Sequence, residues 1–441
     1  MLAIRAERAF DGERLVRGGV VVLLDEGRIL AVGRDATVVP ADVHVADFPD
    51  ATVLPGLVDA HVHLCGDGRP GALDRLPEYD EDGLTEVISS SLTGQLAAGV
   101  TSVRDLGDRR AAVLDWRKCA IALTGPEVAA PTIVASGPPI TSRGGHCANM
   151  GGEATGPKQL RAAVRDRVER GADLVKVMAS GGVMTPGSDA LLRQFQLAEL
   201  RVVVEEAHAA GLPVTAHAHG LPAVEQAVDA EVDGIEHCTC LTSSGIQMPD
   251  RLLERLASRG TVVCPTLGVA AGSTPPAALL AIMQRTGMTW EARQAHAARM
   301  HRAGVRLVSG SDGGIGPRRP HSVLPEAVAD LVAGGVSAAD ALATATWCAA
   351  QGCGLGKHKG RLRAGYDADL LLVEGNPLDD IGAPPPRLRG DPERGHRRQA
   401  RRRGRGAGVT RLLFASLPRT ASRSCSWPTS GKAQRSSTLC R

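Results

Sequence analysis

Eight times between residues 57 and 312 the chain lays down a short apolar run of strand length and follows it with a longer segment of helical period. The runs are the stretch around His61, then Val100–Asp105, Pro131–Ser136, Asp173–Met178, Pro213–His217, Gly234–His237, Thr261–Pro265 and Val305–Asp312. Between them, segments such as Lys158–Arg170 and Leu197–Ala210 repeat apolar side chains at steps of three and four, which marks amphipathic helices. Strands that alternate with helices pair in parallel, and eight of them over about 300 residues predict an α/β fold of the (β/α)8 TIM-barrel type.

In that fold the chemistry sits at the C-terminal ends of the strands, and the polar side chains of this chain gather there. His61 and His63 close the first strand. Two residues apart in an extended segment, their imidazoles share a face and can grip one metal ion. Lys176 stands in the fourth strand, His217 ends the fifth, His237 the sixth and Asp312 the eighth, while Asp105 ends the second. Each alone has a plainer reading: Lys176 as a surface lysine, His217 and His237 as hydrogen-bonded core histidines, Asp312 before Gly313-Gly314 as a turn. Lys176, however, lies within Leu174-Val175-Lys176-Val177-Met178, where burial disfavours its charged form. Four histidines, a lysine and an aspartate at matching ends of five strands predict a metal centre.

Upstream, Ala3–Val53 holds short β-type runs, Gly19–Leu24, Arg28–Gly33 and Val43–Ala46, broken by turn residues, and reads as a small β-rich unit. Aromatics are 2% of the chain, too few rings to stack bases, so nucleic acid is not an expected partner. Met1–Val20 mixes Arg5, Arg8, Asp11, Glu13, Arg14 and Arg17 into its apolar positions and leaves no secretory core, and no apolar run reaches the roughly 18 residues that span a bilayer. A cytoplasmic location without membrane contact is the expectation. The ten scattered cysteines, with no C-x-x-C pair, then read as reduced thiols that pack.

Pro55-Gly56-Leu57-Val58-Asp59-Ala60-His61-Val62-His63, Val175-Lys176-Val177, Ala216-His217-Ala218-His219-Gly220, Ile235-Glu236-His237 and Gly310-Ser311-Asp312-Gly313 stand in an order that resembles the motifs of the metal-dependent amidohydrolase superfamily. Within it, the chain is similar to the imidazolonepropionase-like and Xaa-Pro dipeptidase (prolidase) branch, over residues 2–380. The resemblance implies a barrel over residues 56–355 and a small β-sandwich domain built from both chain ends, residues 1–55 and 356–382, with Gly360–Val373 as its returning strand. It also implies two divalent metal ions, zinc in such enzymes. His61, His63 and Asp312 would hold the more buried ion and His217 and His237 the more exposed one, with Lys176, carboxylated by carbon dioxide, bridging them as a carbamate. Such a pair acidifies a bridging water and polarises the substrate carbonyl; Asp312 is the implied catalytic residue, taking the proton and passing it to the leaving nitrogen. His146, in Gly144-Gly145-His146-Cys147, and His219, where many relatives carry tyrosine, are the substrate-binding candidates.

The implied substrate is a small-molecule amide or dipeptide, Xaa-Pro dipeptides and N-acyl amino acids among them. A cyclic-amide (imidazolonepropionase-like) hydrolase, a deaminase and a non-catalytic barrel scaffold are the alternatives, and a homo-oligomer stays open. The last segment does not fit this pattern. Residues 383–441 hold fourteen Arg and one Lys against Asp391 and Glu393, a net charge of +13, whereas the preceding residues carry −10. The pattern calls for a final apolar strand, and Pro384-Pro385-Pro386 and the run Arg397–Arg405 stand there instead, a basic tail whose composition predicts disorder. A reading frame shifted near Gly382 accounts for this composition better than an arm for nucleic acid or acidic partners does.

Overall fold

The computed structural model describes residues 1–34, 39–124 and 130–381. β1 (Leu2–Phe10), β2 (Leu15–Asp25), β3 (Arg28–Gly33) and β4 (Val45–Pro55) open the chain. β1 pairs antiparallel with β2 and parallel with β4, and β2 pairs antiparallel with β3. Successive side chains enter opposite layers: Ile4, Val20, Val22, Leu24 and Val53 pack on one face, Ala3, Val21 and Leu23 on the other.

Only Gly56 separates β4 from β5 (Leu57–Val62). A side chain has no room at that joint, since a Cβ would lie 2.2 Å from Thr101 Oγ1. Strands then follow where the apolar runs place them: β6 (Val100–Asp105), β7 (Thr132–Ala135), β8 (Val175–Met178), β9 (Val214–Gly220) and β10 (Gly234–Thr242). β11 (Gly245–Ile246) folds back antiparallel on β10, and β12 (Val262–Cys264) and β13 (Arg306–Leu307) complete the series.

β5, β6 and β7 form one parallel sheet, and β8, β9, β10, β12 and β13 lie in parallel in a second. Isolated parallel bridges, not continuous ladders, join the two sheets at both margins, Ile140 with Val177 and Val62 with Gly313. Ile140 N donates to Lys176 O at 2.8 Å on one side, and Asp312 N donates to His61 O at 2.7 Å on the other. β14 (Leu370–Glu374) returns to pair antiparallel with β4, so both ends of the described chain share one five-stranded sheet in the order β14-β4-β1-β2-β3. A second sheet facing it, which a sandwich requires, is not formed among the described residues.

The helices bury the faces their period predicts. In Leu197–Ala209, Leu200, Val203, Val204 and Ala207 lie on one stripe against the parallel strands, and Gln196 with Glu199 closes a capping box at its start. Burying each such Leu or Val contributes about 1.5–3 kcal/mol. No helix among the described residues is long and apolar enough to cross a membrane. The eight cysteines among the described residues are free, and Cys238 and Cys240, next to His237, pack in the main apolar core. The expectations for residues 383–441 lie outside the described residues.

Candidate metal centre

His61, His63, Lys176, His217, His237 and Asp312 all line one cavity of about 350 Å³, together with His146 and His219. They come from β5, β8, β9, β10 and the loop after β13, and every one of the six is at most 8% exposed.

His61 and His63 are held in defined tautomers. Nδ1 of His61 lies 2.9 Å from Glu236 Oε2, and Nδ1 of His63 lies 2.8 Å from Gly107 O. Both partners accept, so each Nδ1 carries the proton and each Nε2 presents a lone pair. Both Nε2 atoms lie 3.4 Å from the same oxygen, Asp312 Oδ1. Ligand atoms that share a tetrahedral zinc at about 2.1 Å stand about 3.4 Å apart, so this triad has the spacing of a metal site.

A second triad faces it. Ligand atoms of His217, His219 and His237 lie within 4.8 Å of one another, and so do those of His61, His63 and Asp312. His217 Nε2 donates to Gly181 O at 3.1 Å, which leaves Nδ1 free. His237 Nδ1 donates at 2.7 Å to Thr266 Oγ1, whose own hydroxyl donates to Pro265 O, which leaves Nε2 free. The His217 and His237 rings are 4.6 Å apart, and His237 lies 5.4 Å from His61. His219 was expected to meet substrate; its ring stacks on His237 at 4.3 Å, and its Nδ1 meets Thr239 Oγ1 at 2.9 Å. His146 packs 4.6 Å from His217, with Nδ1 2.7 Å from Thr185 Oγ1.

Lys176 is 2% exposed, and its Nζ has no hydrogen-bond or ion-pair partner among the described residues. Burial pulls its pKa down, against the pull of Glu236 and Asp312. Burial likewise lowers His61 to about 4, His146 to about 4 and His219 to about 3, and takes His217 and His237 well below the usual imidazole value. His63 alone rises, because Asp312's hydrogen bond and charge outweigh its burial. Asp312 is held well below the carboxylate range: burial opposes this, and the charges of His61 and His63 overcome it. Imidazoles held mostly below their usual value, with His63 paired to an ionised Asp312, form a donor set that suits divalent metal.

Three residues given no role by their sequence brace the centre. Glu236 accepts from His61 and, through its other oxygen, from Arg104 Nη2 at 2.9 Å and Thr215 Oγ1 at 2.6 Å. Asp59 accepts from the backbone N–H of Ser311 at 2.8 Å and of His61 at 3.2 Å, tying the Asp312 loop to β5. Asp105, at the end of β6, does not point to the metal triads; it accepts from Leu64 N at 2.7 Å and fixes the turn behind His63. The readable signal for the first was a charge inside each apolar strand run, Arg104 in Val103-Arg104-Asp105 and Glu236 in Ile235-Glu236-His237, as for Lys176.

The wall beyond His237 is cationic and aromatic. Arg293, Arg318 and Arg319 place their guanidinium carbons 4.9, 6.0 and 5.9 Å from the centre of the Trp290 ring. Burial, and then the charge of Arg319, lowers Arg293 to about 9.

The model of the Amidohydrolase family matches residues 52–395. The ochratoxinase of Aspergillus niger is 28% identical over 417 residues, covering 84% of this chain and 80% of the relative. A crystal structure of a Xaa-Pro dipeptidase with methionine bound in its active site superposes with a TM-score of 0.73 at 26% identity, covering 86% of this chain and 95% of that one. The structure of a putative prolidase from Bifidobacterium longum superposes at 0.69 and 28% identity, covering 86% and 90%.

Proposed function

The chain belongs to the amidohydrolase family, whose members similar to it are hydrolases acting on carbon–nitrogen bonds, and from that premise we propose that it is a two-metal hydrolase of small amides. The eight parallel strands would close into a barrel over residues 56–355, flanked by a β-domain drawn from residues 1–55 and 356–382. The observation that carries the reading is the pair of 3.4 Å approaches of His61 Nε2 and His63 Nε2 to one oxygen of Asp312.

His61, His63 and Asp312 would hold one cation and His217 and His237 the other, zinc being suited to this nitrogen and oxygen set. Lys176, whose pKa burial pulls down, would supply the amine that takes up carbon dioxide as a carbamate, releasing a proton to solvent. When bound, the metal pair would activate a water and polarise the scissile carbonyl. Asp312, ionised and 3.4 Å from His61 and His63, would take the proton of the attacking water and deliver it to the leaving nitrogen. His146 and His219 line the same cavity and would position the substrate's polar groups, while the walls exclude bulk water. A Xaa-Pro dipeptidase and an ochratoxinase among the similar proteins favour a dipeptide or an N-acyl amino acid as substrate.

Metal analysis and a substrate panel test this. The zinc-loaded chain should hold close to two ions and cleave members of a dipeptide and N-acyl amino acid panel. Lys176→Ala should retain about one ion and lose activity by about a thousandfold, several kcal/mol of barrier. Undiminished turnover after full chelation, or a Lys176→Ala variant as active as the parent, would overturn the proposal.

A further inference from the structure

Arg293 and Arg319 are the buried guanidiniums of this cavity wall. Arg104, also buried, meets Glu236, whereas neither Arg293 nor Arg319 has an acid at ion-pair distance among the described residues. Arg319 spends its donors on carbonyls: Nη1 on Leu267 O at 3.1 Å and Ser311 O at 2.7 Å, Nη2 on Thr266 O at 2.8 Å. Arg293 gives Nη2 to Pro265 O at 2.8 Å, and its Nε and Nη1 have no hydrogen-bond partner among the described residues. Burial pushes hardest on both, and Asp312 is the acid whose charge most opposes it; it lies 3.4 Å from His61 and His63. Asp330 accepts from Trp290 Nε1, Gln294 Nε2 and Gly268 N. Two like charges side by side line the cavity with no acid at ion-pair distance among the described residues, and an anion lying between them would relieve their repulsion.

The position of the pair sets which anion fits. Thr266 Oγ1 receives His237 Nδ1 at 2.7 Å and lies 3.4 Å from Arg293 Nη2. The guanidinium is thus two short contacts from the metal triads, a span comparable to about one or two residues of extended chain at roughly 3.5 Å each. The Trp290 face lies under the cations, and Val269, Leu279 and Ile315 line the cavity beside it. His146, by contrast, is an uncharged ring fastened to Thr185 and a weaker holder of an anion.

Resting on the hydrolase reading above, we infer that Arg293 and Arg319, backed by Trp290, are the specificity residues of this cavity: they take the free carboxylate of the leaving amino acid. The substrate class is then N-acyl amino acids and dipeptides with an unblocked C-terminus and an apolar side chain. A planar fork meeting a carboxylate gives paired, charge-assisted hydrogen bonds that a neutral isostere cannot replace.

The test pairs N-acetyl-L-phenylalanine with N-acetylphenethylamine, the same amide without its carboxylate, on zinc-loaded protein. The parent should prefer the acid by about 10–100-fold in kcat/KM, mainly through KM. Arg293→Gln should lower kcat/KM for the acid about 10-fold or more beyond its effect on the neutral amide, and Arg293→Lys should restore part of that ratio. Arg319→Gln, which also loosens three carbonyls, is read by its selectivity ratio and by its thermal stability together. Equal cleavage of both compounds by the parent, or equal loss on both in Arg293→Gln, would overturn the inference and leave the hydrolase reading standing. Cleavage of neither, nor of any dipeptide, would sink the hydrolase reading itself.

Discussion

Replacing Glu236 by Gln separates two duties that one buried carboxylate performs. One oxygen takes hydrogen bonds from Arg104 and Thr215, the other from His61 Nδ1. Burial would push this acid up, yet the charge of Arg104 and the His61 contact hold it far below the usual carboxylate range. A glutamine keeps the shape but offers one acceptor. Its oxygen will face Arg104 and Thr215, the stronger demand, and its NH2 will then face His61 Nδ1. Nδ1 must give up its proton to accept that bond, the proton moves to Nε2, and the lone pair offered to the metal is lost. Losing such an orienting carboxylate lowers metal affinity by about 10–100-fold, about 1.4–2.8 kcal/mol. The same change leaves Arg104, 4% exposed, as an uncompensated buried cation, at a cost of about 3–5 kcal/mol in folding stability. Chelator competition measures the first effect, and urea unfolding of the metal-free chain measures the second. Adding Arg104→Gln should return much of the stability, since no bare charge remains, and none of the metal affinity. A double variant that recovers both, or a Glu236→Gln variant that binds zinc within twofold of the parent, would refute the tautomer argument.

Two further outcomes follow from burial and close contact. His321 donates Nε2–H to Gly66 O at 2.8 Å, and burial lowers it to about 4; the unfolded imidazole binds its proton near 6.5, so between those values the unfolded chain holds more protons and stability falls as pH falls. The metal-free chain should therefore lose about 2 kcal/mol to this residue between about pH 7.5 and about pH 5, and urea unfolding should show His321→Gln relieved of that part; identical pH slopes for the two chains would contradict it. At Gly310 a Cβ would lie 2.6 Å from both Cys264 Sγ and His61 Cβ, so Gly310→Ala should displace His61 and weaken zinc binding by about tenfold or more, measured by chelator competition, while circular dichroism stays unchanged; normal affinity would show that the loop yields instead.

The strands and the six cavity positions proposed as ligands were legible because both obey a local rule. A run buried on both faces is apolar throughout, and a ligand must stand where the run stops, so His217, His237 and Asp312 could be placed by counting. β1 escaped notice for a local reason too: its register shifts between Ala6 and Arg8, which breaks the alternation that Leu2–Phe10 would otherwise show. β13 is shorter than its run, because after Leu307 the backbone leaves the ladder and carries Ser309 to Thr344 O and Asp312 to His61 O. Partners were not legible. Arg104 and Glu236 are 132 positions apart, and Arg293 reaches Thr266 from a helix with no motif of its own; only the closure of the fold brings such pairs together.

That closure is also where backbone strain collects. Cys147, His237, Cys238, Thr266 and Asp312 all have left-handed backbones, with φ between 46° and 67°, and all line the cavity or adjoin a residue that does. Such residues cost about 1–3 kcal/mol each and persist only where neighbours over-determine them. The neighbours can be named: His61 O receives Asp312 N, His296 meets Cys238 O at 3.0 Å, and Arg319 and Arg293 grip the Thr266 carbonyl. Arg319 therefore does two things at once, holding the strained turn behind His237 and lending charge to the cavity. Arg293 commits a single nitrogen to that turn. The two guanidiniums should accordingly respond differently to removal: loss of Arg319 lets the His237 end of the site relax and lowers metal affinity, whereas loss of Arg293 leaves the metals in place and changes only which molecules are held beside them.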